Sequence, residues 1–251
     1  MSIEIENLHF SYGMHEVLKG YSLSADCGEI VYVLGANGVG KSTLFRCLLG
    51  HLKPTSGSTL INGKPVGKYS PQELAKLVAY IPQSCTPSFN YSVRQIAAMG
   101  RTAHLSLFES PSERDYEITD KALEKLGIEN LAESGICEIS GGERQLALIA
   151  RALVQEAKIL IMDEPTSNLD YGNQIRVQSL MRSLAHEGML ILMSSHNPQY
   201  AIHFADKVSA IYNGVSVAFG DPREIIDASL LLKLYGLSAQ VNDGLIIPAL
   251  I

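Results

Sequence analysis

Gly35-Ala36-Asn37-Gly38-Val39-Gly40-Lys41-Ser42-Thr43 is the stretch on which the reading of this chain rests. It fits the pattern G-x-x-x-x-G-K-[ST], whose glycines let backbone N–H groups converge on phosphate oxygens with no Cβ in the way. Four fixed positions at this composition give about 0.01 chance matches over the chain. The flanks agree with the motif. Val31-Tyr32-Val33-Leu34 is the kind of run shown by a strand buried on both faces, and Lys41–Leu49 reads as a helix. A helix that starts where the loop ends offers a phosphate its partial positive charge. Lys41 adds a point charge, and Ser42 a hydroxyl for Mg2+.

Working outward, the first third reads as short strands at Ile3–Phe10, Tyr21–Ala25 and Glu29–Leu34. A hairpin, Ser58–Ile61 and Lys64–Val66, follows around Asn62-Gly63. From Ser84 to Ala157 strand-like runs give way to helical spacing at Ser92–Met99, Ser112–Leu126 and Gly141–Gln155, with Pro82 and Pro87 at the boundary. After Lys158 the alternation returns: strands Ile159–Met162 and Met189–Ser194, a helix Gly172–His186 between them, and a hairpin Asp206–Tyr212 with Val215–Phe219 about Asn213-Gly214. The rest reads as short helix and an apolar tail, Leu245–Ile251, which packs on the domain surface or meets a partner. This predicts one α/β domain with a mainly parallel core sheet, an antiparallel β-subdomain near the start and a helical insert. Residues 1–83 and 158–251 would form the core and β-subdomain, and 84–157 the helical subdomain.

Composition narrows the function. In 251 residues, 46% are apolar and 18% charged, which excludes a disordered chain. A net charge of −6 disfavours a nucleic-acid partner. Cys27, Cys47, Cys85 and Cys137 form no C-x-x-C pair, so neither a zinc knuckle nor a disulfide framework is expected, and reduced thiols fit best. The start alternates like a strand rather than a signal peptide, and no run approaches the ~18 apolar residues that a membrane span needs.

Two further segments carry chemistry. Lys158-Ile-Leu-Ile-Met-Asp-Glu-Pro165 is an apolar strand that delivers Asp163 and Glu164 at its C-terminal end, where ligand sites of open α/β sheets lie. Asp163 suits a Mg2+ held through water, and Glu164 suits a base for an attacking water. Ile139-Ser-Gly-Gly-Glu-Arg-Gln145 opens a helix with two glycines. It is either a second anion-seeking helix N-terminus or an ordinary N-cap by Ser140.

In their order and spacing these segments resemble the ATP-binding cassette (ABC) ATPases from Tyr12 to His196. Gly35–Thr43 resembles Walker A, Ile159–Glu164 Walker B, and Ile139–Gln145 the family signature. The resemblance implies that Tyr12 stacks on the adenine of ATP, that Gln83 contacts Mg2+ and the attacking water, and that Ser167–Asp170 is the D-loop ending at Asp170. It implies that His196 touches the γ-phosphate, and that the α-helix start at Ser140, Gly141, Gly142 and Glu143 is the anion-seeking one, with these four residues at the ligand. Two departures stand out. Asn168 replaces a common alanine, and Glu143 replaces glutamine, putting a carboxylate near a polyphosphate unless it points at the ribose or pairs with Arg144.

The resemblance further implies a head-to-tail homodimer that sandwiches two ATP molecules on the cytoplasmic face of the membrane. A separate polytopic permease dimer and an external substrate-binding protein would complete the machine. Tyr91–Arg101 with Thr102–His104, and Asp170–Gln174, are similar to the ATPases of metal-chelate importers, which take up iron–siderophores, haem or cobalamin, with a molybdate or tungstate branch. The permease groove would lie around Gln83–Arg101, with Phe89 and Tyr91 either touching the permease or buried in packing. The rival readings are a soluble ABC mechanoprotein, marked by nucleic-acid-stimulated hydrolysis, and a non-hydrolysing nucleotide switch.

Overall fold

The computed structural model describes residues 1–83, 89–106, 109–167 and 169–249. Expectations attached to Cys85, Pro87, Asn168 and the last two residues of the tail lie outside the described residues. In chain order the elements are β1 (Ser2–Tyr12), β2 (His15–Asp26), β3 (Ile30–Leu34), α1 (Lys41–Leu48), β4 (Ser56–Ile61), β5 (Lys64–Pro65), α2 (Pro71–Leu77) and β6 (Val78–Ile81). Next come α3 (Val93–Ala98), a 3-10 turn at Met99–His104, α4 (Glu113–Leu126), α5 (Gly141–Val154), β7 (Ile159–Met162) and α6 (Tyr171–His186). The chain ends with β8 (Leu190–Ser195), α7 (Pro198–Phe204), β9 (Lys207–Tyr212), β10 (Val215–Gly220), α8 (Pro222–Ile225), α9 (Ala228–Tyr235), β11 (Ala239–Asn242) and β12 (Leu245–Pro248). Two compact units result, one of residues 1–69 and 179–251, the other of residues 70–178.

In the first unit β1 pairs antiparallel with β2 and β4. Ile3 and Ile5 share the buried face of β1 with Leu8 and Phe10, although strict alternation would put the second pair outside. A bulge between Ile5 and Leu8, with Asn7 at φ 45°, makes the phase change. Gly57 lies against it so closely that a Cβ there would sit 2.2 Å from the Asn7 carbonyl oxygen. Strand β3 is buried along its whole length and runs parallel to both β8 and β9. The register Leu34↔Ser195 brings two strand ends level, so the loop from Gly35 and the segment from His196 leave the same edge. The buried Tyr21 hydroxyl donates to Ser209 Oγ at 2.6 Å, tying β2 to β9, and burial pushes its pKa upward.

The second unit holds the parallel pair β6–β7 and helices α2 to α5. Each of those four helices starts with a capping box, Ser70/Glu73, Ser92/Gln95, Ser112/Asp115 and Ser140/Glu143. The buried Arg101 guanidinium joins their ends. Its Nε donates to Asp115 at 2.7 Å, and its Nη1 to Glu156 at 2.6 Å and to the Val154 carbonyl at 3.1 Å. Bonds from Ser112, first its hydroxyl and then its N–H, together with Arg101, hold the Asp115 carboxyl down to about 2.

The expected class is observed: parallel pairs in the core, an antiparallel sheet near the start, and helices through the middle. Two details differ. α2 and β6 stand where no element was expected. The apolar tail pairs with β11 about Asp243-Gly244 and is pinned by Gln199, which donates to Gly244 O at 2.6 Å and accepts from Ile246 N–H at 2.9 Å. Among the described residues, no helix is long and apolar enough to cross a membrane.

Removing Arg101 strands a buried carboxylate. Arg101→Ala is expected to lower the unfolding free energy by about 3 kcal/mol, read from the urea midpoint, and an unchanged midpoint would contradict this. Because the folded Asp115 pKa is depressed, its contribution is complete above the ordinary carboxylate range. That contribution should fade as pH falls toward about 2.

Candidate functional site

The glycine loop is shaped by contacts that side chains would spoil. A Cβ on Gly35 would lie 2.6 Å from the Ile211 carbonyl oxygen, and Gly38 and Gly40 hold φ of 81° and 112°. Asn37 and Gly38 are exposed at the loop tip, whereas Ala36 and Val39 are half-buried. Gly40 is the N-cap of α1 and gives it no side-chain acceptor for the first-turn N–H groups. Buried Lys41 folds back, its Nζ donating to Gly35 O at 2.8 Å and Ala36 O at 3.1 Å. Ser42 is half-buried beside buried Thr43. His196, the first residue after β8, is exposed on the same sheet edge. Tyr12 ends β1 half-exposed, its ring edge-on to Phe10 with centroids 4.8 Å apart.

In the other unit Asp163 and Glu164 follow β7, and both are buried. The Asp163 N–H donates to Ile81 O at 2.8 Å, carrying the ladder one residue past the strand. Glu164 then turns the chain with φ at 47°, a conformation that costs a non-glycine residue of order 1 kcal/mol. Gln83 Nε2 donates to the Glu164 carboxylate at 3.2 Å. The Ser167 hydroxyl donates to the Glu164 carbonyl at 3.1 Å, and Gln174 Nε2 donates to Thr166 O at 3.1 Å and Leu169 O at 2.9 Å. Asp170 accepts from the Asn173 N–H at 2.9 Å and from its side-chain amide at 2.7 Å, and these bonds hold the Asp170 carboxyl below its usual pKa.

The glycine-led helix α5 shows what Glu143 does. Its carboxylate accepts from the Ser140 N–H at 2.8 Å while the Ser140 hydroxyl accepts from the Glu143 N–H at 3.3 Å. Bonds from Ser140 to the carboxylate, first from its hydroxyl and then from its N–H, lower the Glu143 pKa. Arg144, the partner considered from sequence, instead donates to Ile136 O at 3.2 Å. Gly141 stays exposed and Gly142 is buried.

Sequence reasoning named Ser167 only as the start of the D-loop, and Asn173 and Gln174 only within the stretch Asp170–Gln174, and gave none of the three a role of its own. The Asp-x-x-Asn spacing of Asp170 and Asn173 at a helix start was the available signal. The described residues contain no group of three or more His, Cys, Asp or Glu that could hold a metal ion. A hydroxyl at Ser42 and a carboxylate at Asp163 are hard oxygen donors. They fit Mg2+, which takes its remaining ligands from phosphate and water.

Residues 18–167 match the ABC transporter family. The chain is 34% identical to the ferric enterobactin transport ATP-binding protein FepC of Escherichia coli, over 95% of this chain and 88% of that protein. It is 35% identical to the molybdate import ATP-binding protein MolC of Haemophilus influenzae, over 94% of this chain and 88% of that one. Among solved structures it is similar to a chain of an ABC transporter in an inward-facing conformation, described as of metal-chelate type. The TM-score is 0.86 at 32% identity, covering 99% of this chain and 98% of that chain. This chain belongs to the ABC transporter family as an ATP-binding subunit. It is an ATPase coupled to transport and works with membrane permease components.

If the Ser140–Glu143 bonds hold the start of α5, Ser140→Ala should cost about 1 kcal/mol of stability. Glu143→Gln, which keeps an acceptor in the box, should cost less. Equal midpoints for the two variants in chemical denaturation would contradict the capping role.

Proposed function

We propose that two copies of this chain clasp two ATP molecules head to tail and so drive a separate membrane permease. The cargo would be a metal chelate such as an iron–siderophore, haem or cobalamin, or else molybdate or tungstate. The observation that carries the reading is the uncapped α1 N-terminus behind Gly40, with Lys41 folded over the loop. A helix start led by glycines, with a lysine beside it, brings backbone donors and positive charge together, which suits a polyphosphate. The second glycine-led helix, α5, cannot serve the same purpose redundantly. In the proposed dimer it meets the nucleotide of the opposite copy through Ser140–Glu143. The relatives' names, a ferric enterobactin transporter and a molybdate importer, support the cargo class.

The roles follow from the groups. Tyr12 offers its ring to the adenine. Gly35–Thr43 hold the phosphates through backbone N–H groups, with Lys41 leaving its carbonyl partners for phosphate oxygen. Ser42, Gln83 and Asp163 would hold Mg2+, which supplies charge neutralisation on the phosphates when bound. Glu164 takes a proton from water. Its bond from Gln83 fixes the carboxylate, and its left-handed backbone sets where that carboxylate points. His196 contacts the γ-phosphate, and Asp170 ends the loop that crosses to the partner. Loss of the γ-phosphate removes contacts that only the closed dimer makes, so hydrolysis favours opening.

The permease would dock around Gln83–Arg101, of which residues 84–88 lie outside the described residues. Phe89, 68% exposed, and Tyr91 form an edge-to-face pair with centroids 5.9 Å apart, an apolar hold for a docking helix. The subunit would then sit on the cytoplasmic face of the membrane, with a binding protein outside and no nucleic acid involved.

Glu164→Gln tests the chemistry. Turnover should fall by about 10²-fold or more while ATP still binds, and an ATP-dependent dimer should accumulate on size exclusion. Undiminished phosphate release would remove Glu164 as the base.

A further inference from the structure

Asn173 lies on the first turn of α6, half-buried, and its side chain has two neighbours. Its amide donates to Asp170 at 2.7 Å. The same amide nitrogen lies against α5, where a Cβ on Gly142 would be 2.7 Å from Asn173 Nδ2 and 3.1 Å from Cγ. Gly142 is thus bare where Asn173 presses on it. The loop from Glu164 to Asp170 and the first turn of α5 are joined through one side chain, both within residues 70–178.

We propose that Asn173 is a positioning residue that locks Asp170 to the signature helix, so that both reach the partner copy's nucleotide as one rigid surface. This rests on the head-to-tail dimer proposed above. The argument is one of geometry. Asp170 bonds Asn173 through both the main chain and the side chain, so the amide has a single orientation. A shift of the loop must carry Asn173 with it, and Asn173 cannot move toward α5 without meeting the Gly142 backbone. Glu164 sits at the other end of the same loop, whose carbonyls Thr166 and Leu169 are held by Gln174 on the next α6 position. Closure of α5 on the opposite nucleotide is thereby tied to the loop that follows the base. Asn173 touches no substrate in this scheme. Its effect should therefore appear in kcat and in dimer formation, and not in the affinity of the separate chain for ATP.

The test uses the full chain with Asn173→Ala and Asn173→Asp. ATP affinity is measured on each, steady-state phosphate release is measured, and ATP-dependent association is measured in the Glu164→Gln background. Asn173→Ala and Asn173→Asp should bind ATP as the parent does, yet lose roughly tenfold or more in kcat and associate less. The aspartate variant should be worse, because it sets two carboxylates against each other. Parental kcat in Asn173→Ala, or a loss of ATP affinity in step with kcat, overturns the proposal. Failure of the dimer reading looks different, because the Glu164→Gln chain with native Asn173 would itself not associate with ATP.

Discussion

A helix start needs acceptors for its first N–H groups, and this chain meets that need in two opposite ways. Helices α2 to α5 each use a serine hydroxyl and a side chain three residues on. Helix α1 has Gly40 at that place and no side-chain bond at all. In the proposed reading a phosphate supplies the acceptor that Gly40 lacks, and the residues around the loop suit that role. Gly35 lets the loop pass Ile211, Gly40 takes a backbone angle closed to other residues, and Lys41 is parked on loop carbonyls. The level ends of β3 and β8 then put His196 on the same edge.

Helix α5 is the informative contrast. It is capped by its own residues, yet its cap is made of Ser140 and Glu143 around two glycines. A carboxylate there looked hostile to a polyphosphate when only charge was considered. In the structure it is committed to the Ser140 N–H, which leaves the exposed Gly141 backbone at the face of the helix start. In the proposed dimer that face is read by the other copy's nucleotide. The strain stored at Glu164, held by Gln83 and Ser167, belongs to the same design of one carboxylate kept in one place.

How much of this was legible in sequence depends on how local the cause is. The glycine loop, the buried strand before it and the helix after it were legible because each rests on neighbouring residues. The same holds for the Asn-Gly hairpins and for the cap at Ser140. β6 was not legible, because α2 ends at Leu77 and the strand starts at Val78, so the two periodicities abut with no break. The tail carried an Asp-Gly turn, but its pairing depends on Gln199, far away in the chain. Gln83 bears no local mark of function, and only the level ends of β6 and β7 bring it to Glu164. The phase change at Asn7 was hidden for a similar reason, since it needs the close approach of Gly57.

The central claim is that each nucleotide belongs to two chains at once. It is tested most directly by mixing two chains, both carrying Glu164→Gln, one also Lys41→Ala and the other also Ser140→Arg, and following association by sedimentation. The account predicts that neither chain associates with itself, and that the mixture forms a heterodimer only when ATP and Mg2+ are present, through its one intact composite site. Failure of the mixture to associate while the Glu164→Gln parent does so, or self-association of either variant, would contradict it.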